Sequence, residues 1–458
     1  MGPPLTAPVA TAAGSPPAPS IVSDSAKTLF LRLLLTAVGL GASVLISRGL
    51  GPEGRGAYYL PVIAAGTTAA ICKLGLEQAN VFLYGTQHVA PERLSGQNGL
   101  IALAMGGLGA LVLVLAPRAL PGLFSGTPVA LVALVALSIP FILHTQFSAV
   151  LLTLRARITW QFSAALLAGL VQITLLATFW ISGRFTVGAV LVTYVVTVLL
   201  TWLLTVSAFD ARELRIQWDG VLLRLTLRHS LLLHLGMVLF FLHLRLDQFM
   251  VKALVGTAAL GLYSLAVVLA ESVLLPTDSL GLAILPRQVG NTIGEAAQIA
   301  LDGARANALV GLGLATGWAV AGAPLIRIFF GEAFLPAYLP LLGLLPGMVF
   351  LGMQRVCSGP ILRAGRPGRF MLVYAVSLTG NIILNLWWIP SLGLLGAALA
   401  SSVTYGLSAM LFLVWTARLA GAPWGSIIPR RADWRRVQQA AREGIRFLHS
   451  LPLRNQAP

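Results

Sequence analysis

Gly51-Pro52-Glu53-Gly54-Arg55-Gly56-Ala57-Tyr58-Tyr59-Leu60 returns 205 residues later as Gly256-Thr257-Ala258-Ala259-Leu260-Gly261-Leu262-Tyr263-Ser264-Leu265. Gly51, Gly56, Tyr58 and Leu60 coincide with Gly256, Gly261, Tyr263 and Leu265. A second correspondence sets Leu154-Arg155-Ala156 and Phe162 against Leu362-Arg363-Ala364 and Phe370, at an offset of 208. One such match among Leu- and Gly-rich segments is easily chance. Two at nearly the same offset indicate a duplicated unit. They fall before the second and fifth apolar runs of each half, so the duplication is one of whole helix arrays.

Working outward, twelve apolar runs reach bilayer-spanning length, which needs about 20 residues. The first is Leu29–Ile46 and the last Leu392–Trp415. Pro140 and Pro346 interrupt spans 4 and 10, as membrane helices tolerate. Six spans per half is an even number, so both halves share one orientation, related by an axis along the membrane normal. The expected fold is an all-α integral membrane protein of about 12 transmembrane helices in two six-helix pseudo-symmetric lobes. Residues 1–28 read as a disordered tail, 29–208 as the first lobe, 209–229 as a linker, 230–417 as the second lobe and 418–458 as a basic tail.

Composition agrees. With 57% hydrophobic and 10% charged residues, the chain cannot hide its apolar surface in water. The net charge of +16 would suggest nucleic acid in a soluble protein. Here the bases crowd into short loops and the tail, which points to topology and anionic lipid, not nucleic acid. Counted by side, 22 basic residues fall on the face of the termini and six opposite. The positive-inside rule then puts both termini in the cytoplasm of a multi-pass protein of the cell inner membrane. In the tail, Trp434, Val437, Ala441, Ile445 and Leu448 recur at helical spacing between arginines, as in a basic amphipathic helix lying on the inner leaflet.

The loops opposite the termini are about a dozen residues or fewer, too short for an enzyme domain. The six histidines are scattered without metal-ligand spacing. Cys72 and Cys357 sit in apolar runs as small core residues. No cofactor or metal is called for. The charges inside spans say more, because each must face a cavity or a partner. They are Arg32, Lys73 and Glu77 in spans 1 and 2, and Arg245, Asp247, Glu271 and Asp278 in spans 7 and 8. Their positions put a polar interior between the halves. Lys73 and Glu77, four apart, can pair. Arg245 and Asp247, two apart, each need a partner elsewhere. Arg32 suits either the cavity or the head-group interface. The rest read either as inter-helix ion pairs or as a site for an anionic head group, with Asp247, Glu271 and Glu77 as cation-coupling candidates. Asn381 and Asn385 read as helix–helix hydrogen bonders more than ligands.

Ser47-Arg48-Gly49-Leu50-Gly51-Pro52-Glu53-Gly54-Arg55-Gly56 is followed in order by Leu74-Gly75-Leu76-Glu77-Gln78, Leu244-Arg245-Leu246-Asp247-Gln248 and Gly261-Leu262-Tyr263-Ser264-Leu265-Ala266. Then come Leu285-Pro286-Arg287 and Leu392-Gly393-Leu394-Leu395-Gly396-Ala397-Ala398. Together these resemble the polysaccharide transporters, the Wzx-type lipid-linked oligosaccharide flippases of the multidrug/oligosaccharidyl-lipid/polysaccharide (MOP) exporter superfamily. The resemblance implies two lobes around a partly cationic cavity, alternating access, and an undecaprenyl-diphosphate-linked glycan as cargo. It further implies a monomer working beside a polysaccharide polymerase and glycosyltransferases. A lipid II flippase would carry two further spans. The alternatives are that flippase, a multidrug/cation antiporter, a membrane enzyme of glycan assembly, and a scaffold acting through the basic tail.

Overall fold

The structure is a computed structural model. It describes residues 21–435, apart from 87–88, 278–283, 285–287 and 289–290, together with 438–439. Asp278, His88, the Leu285-Pro286-Arg287 motif, the first twenty residues and most of the tail helix expected from Val437 to Leu448 lie outside the described residues.

The regular secondary structure among the described residues is all helical, with no strand. Thirteen α-helices follow in order: α1 (Ile21–Cys72), α2 (Leu76–Thr86), α3 (Pro91–Ala119), α4 (Val129–Ala136), α5 (Ile139–Leu154), α6 (Ile158–Ile181), α7 (Val187–Val206), α8 (Gly220–Leu254), α9 (Thr257–Glu271), α10 (Ile293–Phe329), α11 (Tyr338–Arg363), α12 (Pro367–Leu392) and α13 (Leu394–Leu419). Eleven helical segments among the described residues are long and apolar enough to cross a membrane. The first of them, Phe30–Cys72, is two spans in one. Its 43 residues would make a helix of about 65 Å, twice the hydrocarbon core. It is broken at Gly51, where φ is 66° and ψ −177°, a conformation only glycine holds at ease. Gly256, its counterpart in the repeat, has φ 125° and ψ −174° before α9. Both first glycines of the repeated motif therefore take a positive φ with ψ near 180°, and with the first helix counted twice the described residues hold twelve such segments.

Several helices run past their apolar cores. Between Pro19 and Pro52 the sequence has no proline, and α1 starts at Ile21, inside the stretch read as tail. The region read as a linker from 209 to 229 is helical from Gly220, because the Asp219 side chain caps α8 by accepting from Leu222 N at 2.9 Å. Hydropathy marks where lipid is, whereas caps mark where helices end.

Packing repeats between the halves. Span 1 lies on α6 through Gly169, whose missing Cβ leaves room for Val38. Span 7 (α8) lies on α12 through Gly236, against Phe370. The third and fourth spans pair in each half (α3 with α5, α10 with α11), as do the fifth and sixth (α6 with α7, α12 with α13). Two cores fall mainly one to each half, one around Ile139, Leu143 and Phe147 and the other around Tyr263, Leu341 and Tyr405, with Leu260 of α9 entering the first and Leu40 and Val44 of α1 packing on the second.

Candidate functional site

The halves meet at the repeated motif. Gly56 and Gly261 are both buried, and α9 lies directly on the second half of α1. The face opposite the chain ends is closed there by two further contacts. Arg48, at the end of span 1, donates to the backbone carbonyls of Ile328 and Phe329 at the end of α10 (Nε to Phe329 O, 2.7 Å). Lys252, at the end of span 7, donates to Ser125 O at 3.1 Å, in the loop after α3, and to Thr257 Oγ1 at 2.9 Å. Each half thus reaches with a cation from its first span to the end of the other half's third.

Below this closure lies a cavity of about 390 Å³. Span 1 contributes Ser43, span 2 contributes Arg55, Tyr58 and Tyr59, and α9 contributes Glu271. Arg55 is only 4% exposed. Its Nη1 donates to Ser43 Oγ (2.9 Å) and Ser47 Oγ (2.5 Å), and its Nε to Ser264 Oγ (3.1 Å) of the other half. All these acceptors are neutral, and among the described residues no carboxylate lies within ion-pair distance of it. Arg55 belongs to a run counted from sequence as a loop base; the helix resumes at Pro52 and carries it into the seam. The signal was present in Tyr58-Tyr59 following within one turn, inside an apolar run.

Glu271 reaches Arg245 Nη1 at 2.8 Å, joining α9 to α8. Asp247, two residues on, points elsewhere. It is 1% exposed and accepts from Tyr263 Oη (2.6 Å) and Ser401 Oγ (2.9 Å). Ser401 also accepts from Asn381 Nδ2 at 3.4 Å, and Asn381 Oδ1 accepts from Asn385 Nδ2 at 2.8 Å. Thr404 Oγ1 bonds both Asn381 Nδ2 (3.1 Å) and His243 Nε2 (3.0 Å). Asn381 therefore joins α12 to α13, whereas Asn385 bonds Asn381 on its own helix. Yet Asn385 Oδ1 ends this buried network without a protein partner, and the buried side-chain oxygens of Gln248 and Ser377 also lack one.

The remaining sequence candidates stand apart. Lys73 and Glu77 pair at 3.1 Å across a bend at Gly75, toward the chain-end face. There span 2 packs on α8 through Ser230 Oγ to Leu74 O (2.9 Å) and His234 Nε2 to Ile71 O (3.0 Å). Arg32 stacks 4.9 Å over the Phe162 ring and does not line the cavity. The structure thus brings Glu271 to the cavity, Arg245 to Glu271, and Asp247 to a separate polar core.

On the chain-end face, the Arg155 side chain donates to Glu213, and the Asp210 N–H adds a second bond at 2.9 Å. Together they hold the Glu213 carboxyl below the usual carboxylate range. The Leu222 N–H, then Arg93, do the same for Asp219.

No family model matches the sequence, and no curated protein matches it. Solved structures do. One is the lipid II flippase MurJ in an inward closed conformation, at TM-score 0.70 and 16% identity over 94% of this chain and 93% of that one. Another is an inward-facing MATE family multidrug resistance transporter of the MOP superfamily, at TM-score 0.66 and 14% identity over 87% and 98%. A third is the MATE multidrug transporter DinF-BH in complex with rhodamine 6G, at TM-score 0.65 and 16% identity over 88% and 96%. The chain is a multi-pass membrane protein, and its fold is that of the MOP-superfamily transporters.

Proposed function

We propose that this chain is a flippase of the cell inner membrane, with both termini cytoplasmic. It carries an undecaprenyl-diphosphate-linked oligosaccharide, an O-antigen or exopolysaccharide repeat unit, to the outer leaflet by alternating access of its lobes. Arg55 carries this reading. A buried cation satisfied only by hydroxyls and carbonyls is costly inside a membrane. A diphosphate entering the cavity beside it removes that cost. The cavity suits a small ligand rather than a whole oligosaccharide, so the lobes must part for the cargo to pass. Shared fold alone does not name cargo; Glu271 is already paired with Arg245, so the uncompensated charge at the cavity is that of Arg55, which favours an anion. Asp247 is the coupling carboxylate: it can itself take up a proton, and its network ends in an unpartnered amide oxygen of the hard type that alkali cations seek. The chain works as a monomer, its arginine-rich tail resting on anionic lipid.

The test is transport by the purified protein in proteoliposomes, with a fluorescent undecaprenyl-diphosphate oligosaccharide followed into the opposite leaflet. Arg55→Gln lowers the rate at least about tenfold, as for loss of one charge-assisted contact. Unchanged transport in this variant removes the reading. One observation favours a second: Tyr58, Tyr59 and Glu271 line the same cavity, as a site for an organic cation would. Accumulation of rhodamine 6G against a proton or sodium gradient, with no oligosaccharide transport, establishes that antiporter instead.

A further inference from the structure

Away from the seam, the second lobe carries a groove of about 560 Å³ between α10, α11 and α13. Ala308, Met353, Leu413 and Ile427 line one end, and Ala319 and Leu342 the other. α10 runs from the chain-end face, so Ala308 lies nearer that face than Ala319. From Ala308 to Ala319 is about 16 Å at 1.5 Å per residue. That is the depth of one leaflet, half of a hydrocarbon core of about 30 Å. The rim is open to lipid: Leu312 is 53%, Met410 46% and Ile428 66% exposed.

The groove does not simply fade out at the interface. After α13 the chain turns back under it. Ile427, Ile428 and Pro429 line its mouth, and Arg430, Arg431 and Arg435 follow at once, all exposed. This return is fixed to the lobe. Arg305, only 5% exposed, donates from Nε to Asp433 Oδ2 (2.8 Å) and from Nη1 to Ser426 O (2.7 Å). Asp433 Oδ2 also accepts from Arg430 N at 2.9 Å. The arginines are therefore held at the mouth by a buried clamp. Trp424 and Trp434, 65% and 51% exposed, flank them as interfacial aromatic residues do.

We propose that this groove is a binding site for one anionic glycerophospholipid, with an acyl chain along α10 and its phosphate among Arg430, Arg431 and Arg435. Two independent features select that occupant. The groove is apolar along its length and one leaflet deep, which matches an acyl chain; a long polyprenyl chain would overrun it. Its mouth carries fixed positive charge, which an anionic head group complements and a zwitterionic one does not. Arg305 is a positioning residue that acts through Asp433. The site is distinct from the seam cavity and independent of the transported cargo.

The test is native mass spectrometry of the full chain, exchanged into detergent with equal phosphatidylglycerol, phosphatidylcholine and undecaprenyl phosphate. The wild type retains phosphatidylglycerol over phosphatidylcholine by about tenfold or more. The triple variant Arg430→Gln/Arg431→Gln/Arg435→Gln keeps bound lipid but loses the head-group preference. Arg305→Gln loses the preference while its three mouth arginines remain. Ala315→Trp fills the groove and retains neither phospholipid; should it not fold, Leu312→Trp at the lipid-exposed rim blocks the same groove without repacking the core. Preferential retention of undecaprenyl phosphate overturns the proposal, as do equal retention of both phospholipids by the wild type and a preference that survives the triple variant.

Discussion

Gly56 and Gly261 lie back to back across the seam in a reciprocal contact. A Cβ on Gly56 would collide with the Thr257 carbonyl oxygen and stand 3.1 Å from Gly261 N. A Cβ on Gly261 would collide with the Pro52 carbonyl oxygen and stand 3.0 Å from Gly56 N. The obstacles are backbone atoms and cannot swing aside. Gly56→Ala or Gly261→Ala should therefore force the halves apart at this end, at about 1–3 kcal/mol of overpacking. The check is thiol labelling of a cysteine placed at Ser43, in a background with Cys72 and Cys357 replaced by alanine. Either alanine raises its labelling from the face opposite the termini; unchanged labelling in both would mean that the contact does not set the closure.

The two cationic reaches share one task. Removing the charged donor of Lys252 (Lys252→Met) should weaken the closure by about 1.5–3 kcal/mol, since that ammonium is buried. Arg48→Gln should cost less, about 1 kcal/mol or below, because Arg48 is exposed. Labelling at Ser43 then rises in the order wild type, Arg48→Gln, Lys252→Met, double variant. A double variant no more accessible than the wild type contradicts the assignment.

Asp247→Asn preserves shape and removes the charge. On the coupling role proposed for this residue, transport by the variant should lose its response to an imposed sodium or proton gradient. The wild type should gain thermal stability with the coupling cation by mass action, and the variant should not. Tyr263→Phe, which deletes one hydrogen bond to the same carboxylate, should cost about 0.6–2 kcal/mol of stability and keep the gradient response. A variant at Asp247 that still couples moves the role to Glu271 or Glu77.

The Glu213 carboxyl sits below its ordinary range because Arg155 favours its ionised form. Its contribution to stability is thus complete above the ordinary carboxylate pKa and is lost as pH falls through the lowered folded-state value. Glu213→Gln should destabilise the chain-end face at neutral pH by about 1.5–3 kcal/mol and flatten this acid-side loss. Proteolysis of the segment between α7 and α8 as a function of pH reads it directly. Identical pH profiles for wild type and variant would exclude it.

The lipid-facing architecture was legible because hydropathy and the 205-residue offset report on solvent and duplication, which leave their mark residue by residue. The Lys73–Glu77 pair was legible too, being local in sequence, although the chain turns at Leu74 and Gly75 between α1 and α2 instead of running on as one helix. Arg55 was not. Hydropathy places a base beside a glycine-rich turn in a loop, and only the tertiary approach of α9 buries it. The split between Arg245 and Asp247 was half legible: their spacing required different partners, but Tyr263 and Ser401 lie on other helices and no local pattern points to them. Helix ends were misjudged wherever a cap such as Asp219 extended the helix beyond the apolar run.

The Gly56–Gly261 contact is the kind of interface a symmetric dimer makes with itself. In a dimer of identical chains, every side chain beside the axis appears twice. An arginine at position 55 would then face its own copy across the axis. Fusion of the two halves lifts that constraint. The position equivalent to Arg55 is Leu260, which is wholly buried. A single cation can therefore stand in the seam without a twin to repel it, on a scaffold whose backbone remains that of two equal partners.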